Sequence, residues 1–237
     1  AMIYPLMIVV VGIGVVILLL TVSLPQMIGL FETMGASLPL PTKVLIAFSE
    51  LIRHYPIYIL GSMIVGGFGG MKLAKTKRGT RFIHTAMLKI PMMGQIIVAG
   101  DVARSSGALA SLSEVGLPLP EAMEVAQETA SNLHIREALA GAREGLVAGN
   151  GLARPLEKTG LFPPTFIQTL KVAEDTGTLD ENLRRMSEFY QQDATEKVKS
   201  MVGLIEPLAT ITVALAVGFI AMAVIMPMYS LLGSLGE

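Results

Sequence analysis

Four carboxylates lie around one glycine in the second half of the chain. Glu174 and Asp175 precede Gly177, and Asp180 and Glu181 follow it. Carboxylate oxygens are ligands that hard cations prefer, but a calcium loop needs further oxygen ligands at regular spacing, which this segment lacks. Acidic residues at the start of a helix also oppose the positive end of the helix dipole and cap free amides. The sequence therefore predicts a junction between two helices here and no metal site.

Other residue types that perform chemistry are scattered along the chain. The histidines, His54, His84 and His134, lack the four-residue spacing of a helical metal pair. There is no Walker or dinucleotide motif, and the absence of cysteine excludes disulfides and thiolate metal sites. The net charge of −1 gives no indication of nucleic-acid binding. We therefore predict a protein that is not an enzyme, with no cofactor and no nucleic-acid partner.

Long uncharged segments occupy both ends of the chain. Residues 1–31 and 207–236 contain no charged side chain, and a third uncharged segment, 55–71, lies between them. A bilayer core about 30 Å thick requires roughly 20 apolar helical residues. The pattern divides the chain into a first transmembrane helix at 1–30, a short external loop with an amphipathic helix at 31–54, a second transmembrane helix at 55–71, a cytoplasmic bundle at 72–206, and a third transmembrane helix with an external C-terminus at 207–237.

Basic residues set this orientation. Between Lys72 and Arg81 the chain carries only basic charges, whereas the loop at 31–54 has as many acidic as basic residues. Under the positive-inside rule, the segment that follows the second uncharged run is cytoplasmic. The lipid bilayer is therefore the first partner that the sequence predicts.

Small residues within two of the predicted transmembrane helices are spaced for close helix packing. Ser62, Gly66 and Gly70 recur every four residues, and Ala214 and Gly218 repeat that spacing near the other end. Small side chains on one face allow helix backbones to approach each other in lipid. We expect these residues to contact other helices, including those of further copies in a homo-oligomer.

An oligomeric membrane channel or transport subunit is the alternative function. Proton-coupled transporters need ionisable groups at membrane depth, and the predicted spans contain none. The polar side chains available to line a pore are Thr21, Ser23, Ser62, Thr210, Thr212 and Ser230. This shortage favours a scaffold anchored in the membrane over a channel.

Helical periodicity runs through the cytoplasmic segment 72–206. Stripes such as Ile135, Leu139 and Ala142 recur at helical spacing and are interrupted by glycine and proline. The expected fold is an all-α membrane protein with three transmembrane helices and one antiparallel bundle of about six helices. Two junctions combine a glycine with neighbouring acids, so they could be docking surfaces or ordinary helix caps. The candidate docking residues are Glu114, Gly116, Pro118, Glu121, Glu174, Gly177, Leu179 and Glu181.

Ordered motifs along the whole chain resemble the type II secretion F family. They are Tyr4-Pro5, Phe31-Glu-x-x-Gly35, Leu38-Pro-Leu-Pro-Thr42, Leu112-x-x-x-Gly116-Leu-Pro-Leu119, Gly160-Leu-Phe-Pro-Pro164, Glu174-x-x-Gly177-x-Leu179 and Glu206-Pro207. The resemblance implies an inner-membrane platform protein of bacterial type II secretion or type IV pilus assembly. The resemblance also implies that the platform couples a cytoplasmic hexameric ATPase to the extraction and addition of pilins or pseudopilins, and that it meets other inner-membrane assembly proteins. The family usually has two related cytoplasmic bundles, and this chain resembles the second repeat together with all three transmembrane helices.

Overall fold

The computed structural model of the chain describes Lys72, residues 74–234 and isolated positions among residues 7–61. The elements of the described part are all α-helices, which confirms the predicted fold class at that level. The chain divides into two compact units, one formed by Ala1–Gly70 with Val202–Glu237 and the other by Met71–Met201. Each unit is described separately below.

Seven helices follow one another in the continuous part. They are α1 Lys77–Lys89, α2 Met93–Glu114, α3 Leu119–Thr129, α4 Leu133–Val147, α5 Ala153–Thr159, α6 Pro164–Thr176 and α7 Leu179–Ser234. The sequence predicts about six helices in the bundle, and seven helices begin within residues 72–206. Gly151 and Gly160 bound the short α5, with φ of 70° and 64°.

The core of the Met71–Met201 unit forms along the apolar stripes that the sequence predicts. Ile135, Leu139 and Ala142 of α4 are all buried. The other predicted stripes contribute Val102 and Leu109 of α2, Phe166, Leu170 and Ala173 of α6, and Leu183, Met186, Tyr190 and Ala194 of α7. Val198, which belongs to the same sequence stripe, is exposed because the core ends at Ala194.

A sharp bend separates α1 from α2. The two helices meet at an angle of 105°, and Met92 at the bend has a φ of 67°, in the left-handed region. Gly94 is buried directly against the carbonyl group of Leu88, where a Cβ atom would clash. The bend directs α1 away from the axis of α2. Helix α2 itself lies in the core, where its Val102 is fully buried.

Helix α7 is the one described helix that is by itself long and apolar enough to cross a membrane. Its C-terminal part leaves Leu208, Ile211 and Leu215 largely exposed, as expected of side chains that face lipid. Pro207 lies within this continuous helix. The first and second predicted spans fall mainly outside the described residues, so the number of three spans stays a prediction.

In the unit formed by Ala1–Gly70 with Val202–Glu237, two described residues from the first part, Gly12 and Thr42, contact α7. The Thr42 hydroxyl donates a buried 2.7 Å hydrogen bond to the carbonyl oxygen of Ala223. Gly12 lies against Val213, and a Cβ atom at Gly12 would be 2.9 Å from the valine methyl carbons. A small residue therefore does allow close packing in this unit, although at a position that the sequence did not indicate.

Candidate docking site

The two glycine junctions singled out in the sequence lie at the same end of the bundle. The Ser187 hydroxyl on α7 donates to the carbonyl oxygen of Ala103 on α2, at 2.8 Å. Nearer the start of α7, Arg184 forms a 3.0 Å ion pair with Glu114 at the end of α2. The two helices are thus antiparallel, and the end of α2 lies beside the start of α7. We call residues 114–121 and 174–181 together the docking end.

The first junction of the docking end is a tight turn held by backbone hydrogen bonds. Gly116 has a φ of 81°, and its amide donates to the carbonyl oxygen of Ser113 at 2.8 Å. The next amide, of Leu117, donates to the carbonyl oxygen of Leu112 at 3.1 Å, as in a glycine-terminated helix. Leu117 and Leu119 pack against the core. The turn leaves Val115 79% exposed, so a large apolar side chain stands at its tip.

Two exposed residues, Pro118 and Glu121, follow this turn. Pro118 precedes α3 and is exposed, and Glu121 lies in the first turn of α3, where a carboxylate opposes the positive helix end. Glu121 is also exposed, so its charge is available to a partner.

The second junction repeats this geometry at the end of α6. Gly177 has a φ of 69°, and the Thr178 amide donates to the carbonyl oxygen of Ala173 at 3.0 Å. Leu179 packs against the core, and Glu181 forms a 2.6 Å ion pair with Arg185 one turn later. Both glycines therefore act as helix caps, and docking at either junction stays a prediction.

Glu174 has a partner inside the bundle. Its carboxylate accepts hydrogen bonds from the backbone amides of Leu152 and Ala153, the latter at 3.2 Å, at the start of α5. Gly151 beside it leaves room for the carboxylate, since a Cβ atom there would lie 2.9 Å from one of its oxygens. The side chain thus links α6 to α5, and a docking role for Glu174 stays a prediction.

Replacing Glu174 with alanine should lower the free energy of unfolding by about 1 kcal/mol, as for other helix N-cap losses. The matched control is Asp175→Ala, which removes an exposed carboxylate and should change stability by less than about 0.5 kcal/mol. Chemical denaturation of the full chain in detergent, followed by circular dichroism, measures both. Equal effects of the two substitutions would contradict the capping role of Glu174.

A buried carboxylate near the middle of the bundle was not among the predicted residues. Asp101 on α2 is fully buried, and one of its oxygens accepts from the amide and hydroxyl of Ser131 at 3.0 and 2.8 Å. The other oxygen accepts from the Asn132 amide at 2.9 Å, and Arg104 also donates to the carboxylate. Asp101 thereby caps the start of α4 from another helix. The only sequence signal is the three-residue spacing of Asp101 and Arg104, which also occurs on helix surfaces.

Two histidines that are fifty residues apart in the sequence form hydrogen bonds where α1 contacts the start of α4. His84 Nδ1 accepts a 2.8 Å hydrogen bond from the Leu133 amide, and His134 Nε2 lies 2.8 Å from the Thr85 hydroxyl. Both side chains therefore help to attach α1 to α4. No group of three metal-ligating side chains occurs within the part of the chain that the structure describes.

The structure describes only two of the five small residues that were predicted to contact other helices in the membrane. Ala214 and Gly218 are exposed on α7, and no described residue lies within 4 Å of a Cβ atom built at Gly218. Among the residues that the structure describes, none covers these two positions. Ser62, Gly66 and Gly70 lie outside the residues whose packing the structure describes, so their proposed contacts stay a prediction.

Comparisons with known proteins relate the chain to one family. Residues 106–227 match the profile of the family described as type II secretion system (T2SS), protein F. The chain is 32% identical over 231 residues to the type II secretion system protein F of Aeromonas hydrophila, covering 98% of this chain and 60% of that protein.

Relatives from pilus systems are similar over the same length. The type IV pilus assembly protein PilC of Myxococcus xanthus is 28% identical over 235 residues, covering 99% of this chain and 56% of that protein. The protein of the same name from Thermus thermophilus is 32% identical over 236 residues, covering 99% of this chain and 58% of that protein. The chain thus spans less than two thirds of the length of these relatives.

Proposed function

We propose, since this chain belongs to the type II secretion system protein F family, that it is part of an inner-membrane platform on which a pilus or pseudopilus is assembled. The observation that carries the proposal is the extent of the family match. Residues 106–227 include the last nine residues of α2, all of α3 to α6 and most of the apolar part of α7. The bundle and the helix suited to a membrane therefore belong to one family pattern.

In this proposal the docking end meets the cytoplasmic assembly ATPase. It combines the exposed apolar Val115 with exposed acidic residues such as Glu121 and Asp180. An apolar side chain surrounded by polar groups is a common arrangement at protein interfaces. The core-packed Leu117 and Leu179 hold both junctions firmly, so force applied to this end would move the bundle as a unit.

Pilins or pseudopilins and other inner-membrane assembly proteins are the proposed partners of the apolar segment. Ala214 and Gly218 offer an open small-residue face on α7, which suits close approach by another transmembrane helix. A second copy of the chain could use the same face, so the proposal includes a homo-oligomer. The role is mechanical and assigns no catalytic group.

The alternative of a channel subunit has weaker support in α7. The Thr210 hydroxyl donates to the carbonyl oxygen of Glu206 at 2.9 Å, and that of Thr212 donates to Leu208 at 2.7 Å. Both hydroxyl protons are thus used within the helix, and the uncharged segment 207–236 contains few other polar side chains that could line a pore. Ion flux through proteoliposomes that contain only this protein would favour the channel instead.

Deletion of the protein from its own host tests the proposal. We expect the deletion strain to lose its fibres or its secreted substrate while pilin and ATPase levels stay normal, and the native gene to restore assembly. Fibres and secretion at the normal level without the protein would contradict the platform role.

A further inference from the structure

One face of α1 is fixed on the start of α4. Besides the bonds of His84 and Thr85, the Asn132 side-chain amide donates to the His84 carbonyl oxygen at 3.3 Å. Arg81 adds a 3.1 Å ion pair with Glu137 of α4. These contacts attach one side of α1 to α4, and the exposed fraction of each remaining side chain shows what the rest of α1 presents to its surroundings.

The outward face of α1 combines an aromatic ring with positive charge. Phe82 is 76% exposed, and the exposed Arg78 and Lys89 lie four residues before it and seven residues after it, on the same side of the helix and next to the edge at which Thr85 contacts α4. Among the described residues, Arg78 and Lys89 take part in no ion pair, and the one acid paired with α1 is Glu137, through Arg81. The face therefore has unneutralised positive charge around a solvent-exposed ring.

This combination matches the chemistry of an anionic bilayer surface. Basic side chains near such a surface are attracted to its headgroups, while aromatic rings favour the boundary between headgroups and acyl chains. The exposed Lys72 and Lys75 immediately precede α1, and the uncharged segment 55–71 ends just before them. Chain continuity thus keeps α1 within reach of any membrane that this segment enters.

We infer that the outward face of α1 binds the anionic phospholipids of the bilayer, with Phe82 inserted between headgroups. This contact is additional to the transmembrane anchors of the proposed platform. It would hold one face of the Met71–Met201 unit on the membrane surface, and its strength would depend on lipid composition and on salt.

The absence of tryptophan from the chain allows a specific test. The Phe82→Trp variant of the full chain is reconstituted in vesicles containing brominated lipids, which quench tryptophan near acyl chains. We expect strong quenching with phosphatidylglycerol present and weak quenching in pure phosphatidylcholine or in high salt. Phe189→Trp is the matched control, because Phe189 is likewise a largely exposed ring, at 62%, but belongs to α7. The fluorescence of this control should be quenched only weakly, and to the same extent, in vesicles with and without phosphatidylglycerol.

Charge removal supplies the second part of the test. Adding Arg78→Gln and Lys89→Gln to Phe82→Trp should weaken surface binding by about fivefold for each charge removed, seen as a loss of quenching. Co-flotation with vesicles verifies reconstitution, and failure to float would contradict the platform proposal together with this one. A floating Phe82→Trp chain that is quenched no more than the Phe189→Trp control would overturn the lipid contact alone and assign the face to an acidic protein surface.

Discussion

Replacing Asp101 with alanine is expected to lower the free energy of unfolding of the bundle by about 3–5 kcal/mol. The substitution removes a fully buried carboxylate that receives hydrogen bonds from Arg104, Ser131 and Asn132. The Asn132 amide at the start of α4 would lose its partner in a buried position, and the start of α4 would lose the negative charge that opposes its dipole.

Chemical denaturation of the full chain in detergent, followed by circular dichroism, measures the effect. Glu157→Ala is the matched control because it also removes a carboxylate from an ion pair, with Lys171 at 2.7 Å, but both side chains are about half exposed. Exposed pairs of this kind contribute at most about 1 kcal/mol. If Asp101→Ala were no more destabilising than Glu157→Ala, the buried network could not be a main support of the bundle.

Two arginines on the apolar part of α7 should prevent the helix from crossing the membrane. Leu215 and Phe219 lie one turn apart, are 69% and 42% exposed, and fall near the middle of the uncharged segment 207–236. An arginine at the centre of a membrane helix costs about 2.5–3.5 kcal/mol, so the double substitution should cost about 5–7 kcal/mol. The C-terminus would then stay on the cytoplasmic side.

Alkaline phosphatase fused after Glu237 reports this outcome, since the enzyme is active only outside the cytoplasm. We expect high activity from the native chain and from the Leu215→Ala/Phe219→Ala control, and at least a roughly tenfold loss from the double arginine variant. Full activity in the arginine variant would show that α7 does not need an apolar environment. No activity from the native fusion would contradict the proposed orientation.

Local patterns in the sequence were sufficient to predict that the bundle is helical and that two of its helices end at Gly116 and Gly177. Stripes such as that of Ile135 and Leu139 require only that one helix face be buried, and both Gly116 and Gly177 adopt the left-handed conformation expected of helix caps. The short α5 lies between two breaks that are visible in the sequence, at residues 149–151 and 163–164, although its seven residues span too few turns to form a stripe.

Interactions between helices were not predictable in the same way. Glu174 resembles any acid near the end of a helix, and only the tertiary fold shows that it caps α5. Asp101 likewise interrupts an apolar helix face without any sequence signal that it is buried. The ion pair between Glu114 and Arg184 joins residues seventy positions apart, so the shared location of the two junctions emerges only from the structure.

Site-specific photo-crosslinking at Val115 tests the platform role most directly. A photoreactive amino acid replaces Val115 in the native protein within its own cells, and Val198, exposed near the opposite end of the bundle segment of α7, is replaced as the control. We predict an adduct between position 115 and the assembly ATPase, identified by mass spectrometry, and little or none from position 198. Absence of the ATPase adduct from position 115, in cells that still assemble fibres or secrete, would contradict docking at this end of the bundle.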